Sequence, residues 1–263
     1  MRLLSFTGAR GPSWGVLDGA GVVDLGARPS LETPTLADAL RDDGLMGIAM
    51  NAVGLPPDHD PAELALLPPV PRPARMFHAD ADDPEATWSP LAGPPVAPGG
   101  RFAPAGRTGA RWRPGIAAVV GSAGSRVPPE RASETLAGYT CYADWPAGET
   151  RAAALGPYLV TPDEFLTADG RLTARIDGRP VLRHAVTPLL GALRELLVHV
   201  SARTAMAPGD VLAVTAPGPD RASRRGWAPT PGARCRVELP LAGALDTRVA
   251  HDAVPDPPGG GTP

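Results

Sequence analysis

The sequence predicts a β-dominated α+β protein. A small N-terminal β subdomain spans residues 1–68, a larger mixed β domain spans 69–249, and a disordered tail runs over 250–263. Three observations carry this. Most apolar segments are short and bounded by Gly, Pro or Asp, as strands are. Only one long stretch, 186–202, shows a helical repeat. Proline and glycine, 34 and 31 of the 263 residues, collect in connections. The stiffest is Pro68-Pro69-Val70-Pro71-Arg72-Pro73, which marks the subdomain boundary.

Taken in order, Leu3-Leu4-Ser5-Phe6 and Trp14-Gly15-Val16-Leu17 read as strands around a Gly/Pro turn. Asp18-Gly19 then turns the chain into Gly21-Val22-Val23-Asp24-Leu25, completing a β-meander. Thr35 caps a short helix with Leu36, Ala39 and Leu40 on its apolar side. Residues 84–114 lack periodicity and are expected as a long loop. Residues 116–121 form a buried strand, and 128–136 a short helix opened by proline. In the strand 138–144, alternation puts Thr140, Tyr142 and Asp144 on one face and Tyr139, Cys141 and Ala143 on the other. Residues 159–161 are a short strand, and 172–176 with 180–184 flank an Asp177-Gly178 hairpin turn. The helix 186–202 carries its stripe on Leu189, Leu190, Leu193, Leu196, Leu197 and Val200. Residues 211–215 and 235–239 are late strands.

Composition excludes several functions. All 25 basic residues are Arg, a usage that GC-rich codons favour. With no lysine there is no Schiff base and no lysine general base. A net charge of −3, with Arg interleaved among acids, gives no argument for nucleic-acid binding. No apolar run approaches the ~18 residues of a membrane span, and the N-terminus lacks a signal-peptide core. Cys141 and Cys235 are too few for a disulfide framework and lack metal-ligand spacing. A cytoplasmic protein without membrane or nucleic-acid partners is expected.

Six segments, in order, resemble the fumarylacetoacetate hydrolase superfamily: the N-terminal "MRLLSFTGARGPSWGVLDGAGVVDL", then "IAAVVG" (116–121), "AGYTCYADW" (137–145), "LGPYLVTPDEF" (155–165), "APGDVLAV" (207–214) and "PGARCRVELPLAGALDTRV" (231–249). The resemblance implies a small N-terminal β domain, a mixed β-roll or sandwich domain, and a homodimer. It also implies enol or enolate chemistry on small oxo-acids at a carboxylate-held Mg²⁺ or Mn²⁺.

The site departs from that pattern. Where the family places a Glu-x-Glu pair before the strand matching 116–121, this chain has Arg113-Pro114-Gly115. The third family ligand survives as Asp144. One carboxylate facing a guanidinium is a poor seat for Mg²⁺, so no metal and no other cofactor is expected. Arg113 either takes over the metal's electrostatic role or points to solvent. In the first case it pairs with Asp144 or grips a substrate carboxylate or enolate oxygen.

Other landmarks differ too. The family's general-base His falls near Ala86, and its Lys is absent. Only Glu149 and Arg151 are charged in that shortened connection, and both are candidate substrate contacts. The family's Thr-Gly-Thr-Pro reads Val214-Thr215-Ala216-Pro217. His78, Asp80, Asp82 and Asp83 offer three readings: a new acid/base group whose carboxylates raise the pKa of His78, a metal site, or a solvated acidic loop. Asp82 is a further candidate substrate contact. Tyr142 shares a face with Asp144 and is placed to donate to an oxyanion, while Trp145 is a candidate pocket wall. Cys141, on the other face, is expected to be a buried apolar thiol.

The function expected is a metal-independent enzyme of specialised metabolite biosynthesis acting on a small polar oxo or enol substrate. Its reaction is cyclisation, isomerisation, decarboxylation or C–C lysis, with Asp144, Arg113, His78 and Tyr142 as the catalytic set. Two alternatives stay open: an inactive binding scaffold on the same fold, and a metal-dependent C–C hydrolase with its ligands elsewhere.

Overall fold

The computed structural model describes residues 1–19, 21–28, 31–42, 45–50, 52–87, 93–102, 111–147, 150–165, 170–218 and 226–250. The chain opens as the meander its turns dictate: β1 (Arg2–Gly8), β2 (Gly11–Asp18) and β3 (Gly21–Asp24), with Val16 opposite both Leu3 and Val23. Gly19 sits at the second turn with φ +58°, a conformation that a side chain resists. Thr35 and Asp38 cap α1 (Leu36–Arg41) reciprocally, each side chain accepting from the other's backbone amide. A short helix absent from the sequence pattern, α2 (Leu45–Met50), follows, and then β4 (Leu66–Leu67) pairs with β1.

The larger part begins with β5 (Met76–Asp80), β6 (Asp83–Thr87), β7 (Arg101–Phe102) and β8 (Arg113–Val120). The long loop expected over 84–114 is therefore partly strand. Its segments lack side-chain alternation, but their backbone groups still find partners on sheet edges: β6 on β5, β7 on β16 and Val96 beside Ala154. Residues 88–92 and 103–110 of that stretch lie outside the described residues. The short helix expected near 128–136 is a 3₁₀ segment, Pro129–Thr135, opened by proline. The long β9 (Leu136–Ala147) folds back on β10 (Thr150–Leu155). That second strand, Thr-Arg-Ala-Ala-Ala-Leu, is poor in β-branched and aromatic residues and so escaped pattern reading.

The chain ends with β11 (Tyr158–Val160), α3 (Pro162–Phe165), β12 (Arg171–Ile176), β13 (Arg179–Ala185), α4 (Val186–Ser201), β14 (Val211–Thr215), β15 (Arg234–Leu239) and β16 (Gly243–Val249). Of the expected tail, 250–263, Ala250 donates its backbone N–H to the Phe102 carbonyl oxygen, and 251–263 lie outside the described residues.

Two sheets result. The first runs β3-β2-β1-β11-β9-β8-β14-β5-β6, with β10 beside β9 and β4 beside β1; the second runs β13-β12-β15-β16-β7. The first sheet passes without a break from the N-terminal meander into the larger part, because Leu3 of β1 pairs with Leu159 of β11. Alternation splits its two faces. Ile116, Ala118 and Val120 of β8 pack with α4 and the second sheet, together with Cys141, Leu193, Leu212 and Val237. Ala117 and Val119 pack with the N-terminal elements, beside Trp14, Leu36, Leu40, Tyr142 and Ala213. Of α4's expected stripe, Leu189, Leu193, Leu196, Leu197 and Val200 are buried, and Leu190 is partly so. Cys141 and Cys235 are unpaired buried thiols, and burial pushes each up to about 12, which leaves them inert. Among the described residues, no helix is long and apolar enough to cross a membrane.

Candidate active site

Strand register assembles the site on the face of the first sheet that looks toward the N-terminal elements. Pairing of β8 with β9 sets Arg113 directly opposite Asp144. Tyr142 precedes Asp144 by two residues and so shares its face. On β10, Ala153 lies opposite Asp144 and Arg151 opposite Pro146, so Arg151 projects to the same side. From the other flank, the parallel pairing of β14 with β5 sets Thr215 beside Asp80, and Thr215 also faces Gly115 of β8. Five strands thus deliver two arginines, two aspartates, a tyrosine and a threonine to one spot.

Asp144 is its centre. Arg113 grips it through Nε to Oδ1 at 2.8 Å and Nη2 to Oδ2 at 2.9 Å. Tyr142 Oη donates to Oδ2 at 2.9 Å, and Arg151 Nη1 donates to the same oxygen. The Asp144 side chain is 0 % exposed. Burial opposes its ionisation, but the Arg113 and Arg151 guanidiniums outweigh burial and hold its carboxyl below the usual range. Burial and the neighbouring Asp144 charge raise the Tyr142 hydroxyl well above its ordinary value, so it stays a protonated donor. Arg113 remains charged despite burial because Asp144 and Asp80 surround it.

Asp80 is held differently. Its Oδ1 accepts from Arg113 Nη1 at 2.8 Å and from Thr215 Oγ1 at 2.7 Å. Its Oδ2 has no partner among the described residues, and the side chain is 24 % exposed. Arg113, Asp80, Asp82, Thr215, Gly226 and Trp227 line a cavity of about 20 Å³, room for one oxygen-sized group. The two arginines and two aspartates sum to zero charge.

Two glycines make this arrangement possible. A Cβ on Gly115 would stand 2.0 Å from the Val214 carbonyl oxygen, so β8 and β14 approach only because no side chain is there. A Cβ on Gly226 would meet the Trp112 carbonyl oxygen at 2.1 Å and Arg113 Cγ at 2.6 Å, so Gly226 leaves room for the arginine stem.

The residues present do not fit the divalent ion that the family resemblance implies. Arg113 replaces one ligand, Gly115 has no space for a second, and the lone pairs of Asp144 already accept from two guanidiniums and a phenol. Among the described residues, no group of three His, Cys, Asp or Glu side chains is arranged to hold a metal.

The structure brings together Arg113, Asp144 and Tyr142 from the expected set and corrects several assignments around them. Arg151, expected to touch substrate, is turned onto Asp144 and buried, because an internal carboxylate with its charge already desolvated is the nearer partner. His78 is buried with Nε2 unpartnered, and its pKa is lowered to about 4 rather than raised. Burial dominates that shift, and the Arg151 charge adds to it; the carboxylates of Asp144 and Asp80 pull the other way but less. Trp145 points to the opposite face, where it stacks on Phe102 at 4.1 Å between ring centroids, so it walls the core and not the site. Asp82 stands exposed on the cavity rim. Glu149 and the Asp83 side chain lie outside the described residues. Sequence reasoning missed Thr215 and the distinct place of Asp80. Reading 76–80 as a strand would have separated Asp80, on the face of His78, from Asp82 beyond the strand's end.

A two-sheet β fold with a buried charged constellation where strands of one sheet converge defines a β-rich protein with a candidate active site on its larger sheet. The family model described as fumarylacetoacetate (FAA) hydrolase C-terminal matches residues 96–250, more than half of the chain. The chain belongs to the fumarylacetoacetate hydrolase family.

Solved structures agree on the fold. Maleylpyruvate hydrolase from Sphingobium sp. SYK-6, in complex with manganese (II) ion and pyruvate, superposes with a TM-score of 0.76 at 20% identity, covering 95% of this chain and 99% of that one. Fumarylacetoacetate hydrolase from psychrophilic Exiguobacterium antarcticum gives 0.74 at 20% identity, covering 96% and 100%. The 5-carboxymethyl-2-hydroxymuconate delta-isomerase from Mycobacterium smegmatis gives 0.69 at 21% identity, covering 95% and 99%. No sequence among curated proteins matches the chain.

Proposed function

We propose that this chain is an enzyme of the family that works without its metal, binding the oxygen of a small oxo or enol substrate at Arg113 and stabilising the enolate. One observation carries the reading. A guanidinium, clamped on the buried Asp144, stands where the Glu-x-Glu pattern would place a metal ligand, and Gly115 leaves no room to restore the pair. Three of the five N–H groups of Arg113 are engaged, by Asp144 and Asp80, and two are left for a ligand oxygen at the cavity. Donors fixed beforehand in a dry site stabilise developing negative charge without reorganising.

A guanidinium donates hydrogen bonds but does not act as a Lewis acid. Isomerisation, cyclisation and decarboxylation therefore suit the site better than C–C hydrolysis. A homodimer, supported by the family resemblance, and a place in specialised metabolite biosynthesis, suggested by the replaced metal ligands, are part of the same proposal.

The test is exchange of the methyl protons of pyruvate in D₂O, followed by ¹H NMR. Exchange should persist in excess EDTA and fall about 100-fold or more in Arg113→Met, the size expected for losing an oxyanion donor. Exchange that appears only when Mg²⁺ or Mn²⁺ is added would overturn the proposal.

A further inference from the structure

We propose that Asp80 is the base that carries the substrate proton, taking it through Oδ2 from the carbon next to the carbonyl and returning it within the same substrate. This rests on the reading of Arg113 as the oxyanion site, and it singles out one proton acceptor among five candidates.

Asp144 is excluded as a base because each of its oxygens already accepts from a fixed donor and none of its surface is open. Tyr142 spends its hydroxyl on Asp144 and is fully buried. His78 does not line the cavity. Asp82 does line it, but nothing among the described residues orients its carboxylate. Among the described residues, Asp80 alone combines a fixed orientation with an open acceptor. Arg113 and Thr215 pin Oδ1 from two directions, which sets the plane of the carboxylate and leaves Oδ2 without a partner.

The same guanidinium holds both participants. Asp80 Oδ1 lies 2.8 Å from Arg113 Nη1. A carbonyl oxygen accepting from the free N–H groups of Arg113 sits about 3 Å from their nitrogens. The enclosed space takes that oxygen, and the carbon that bears the acidic proton, two bonds beyond it, lies at the cavity mouth, where Asp80 is 24 % exposed. Reactant and base are therefore delivered to one small space by a single rigid fork.

The step balances without a co-reactant. The C–H bond breaks and an O–H bond forms on Asp80 Oδ2. The C–H electron pair becomes the C=C bond, and the carbonyl π pair becomes the enolate oxygen held by Arg113. Asp80 then gives its proton to the enolate oxygen, or to a more distant carbon of a conjugated system, and the carboxylate is restored. One carboxylate serves both transfers and no water is consumed, so the reaction class is keto–enol or double-bond isomerisation. Thr215, which touches Asp80 and not the reacting atoms in this scheme, is a positioning residue.

The experiment compares pyruvate methyl exchange in D₂O with pyruvate binding followed by saturation-transfer NMR. Asp80→Asn keeps an oxygen to accept from Arg113 and Thr215 but removes the base. It should cut exchange at least 100-fold, within the 10²–10⁴ range of general-base catalysis, while Kd for pyruvate changes less than about threefold. Thr215→Val should lower the exchange rate roughly tenfold at saturation with KM unchanged. Because it leaves the carboxylate in place, it tests the assignment even if Asp80→Asn fails to fold.

Exchange within threefold of the parent in both variants, or a loss in Asp82→Asn that Asp80→Asn does not show, overturns the base assignment and leaves the oxyanion reading of Arg113 standing. A parent protein that exchanges no faster than buffer overturns both.

Discussion

Arg113 and Arg234 grip their aspartates in the same way. Arg113 reaches Asp144 through Nε and Nη2 at 2.8 and 2.9 Å, and Arg234 reaches Asp246 through the same two nitrogens at 3.0 Å each. Each aspartate also accepts from a second arginine, Arg151 in the first case and Arg236 in the second. The difference is solvent. Arg113 and Asp144 are 11 % and 0 % exposed; Arg234 and Asp246, on the second sheet, are 52 % and 24 % exposed. On the surface, water competes for every donor, and the pair adds little to stability. In the interior each charge is tolerable only while its partner is present, so the network is rigid and its members depend on one another. Bidentate geometry alone therefore does not make a site; burial converts it into one.

The largest expected effect comes from breaking the buried centre. Asp144→Ala would strand two guanidiniums out of water and should lower stability by about 3–5 kcal/mol in urea unfolding. A triple variant, Arg113→Met with Asp144→Leu and Arg151→Met, should recover much of that loss, since no charge is then left unpaired. A loss under ~1 kcal/mol in Asp144→Ala would show that solvent reaches the network as freely as it reaches Arg234.

Next comes acid sensitivity. His78 has a folded pKa of about 4 against 6.5 when free. Between those values the unfolded chain binds the extra proton. Stability is therefore complete above about pH 6.5 and drains away as pH falls toward 4, by about 3 kcal/mol in total. Unfolding free energies across this window should flatten in His78→Phe; an unchanged slope would mean that His78 is not the group responsible.

A smaller effect tests the close approach of β8 and β14. Gly115→Ala must push its methyl into the Val214 carbonyl and should cost about 1–3 kcal/mol by thermal unfolding. The smallest belongs to the surface pair. Arg234→Ala should change stability by less than about 1 kcal/mol, and 1 M salt should erase the difference.

Much of the fold was legible because it is local. The meander, the Asp177-Gly178 hairpin, α4 and the faces of β9 follow from turn residues and from side-chain periods that any short window displays. β6, β7 and β10 were not legible, because their residues are held by pairing with strands elsewhere and carry no pattern of their own. Within the site, the facing of Arg113 and Asp144 could be anticipated only through the family resemblance. The turning of Arg151 inward, the neutral His78 and the open oxygen of Asp80 each depend on burial by distant segments.

By itself, the sequence determined that this is a β-rich chain of the fumarylacetoacetate hydrolase type, that it has no lysine chemistry, and that an arginine stands where a metal ligand would. Those properties reside in residue identity and short-range periodicity. Only the tertiary structure decided which carboxylate is sealed and which is open. Asp144 and Asp80 are the same residue type, each touching Arg113. Their difference comes from how many donors the neighbouring strands bring to each and how much water is left beside them, and both are consequences of strand pairing across the sheet.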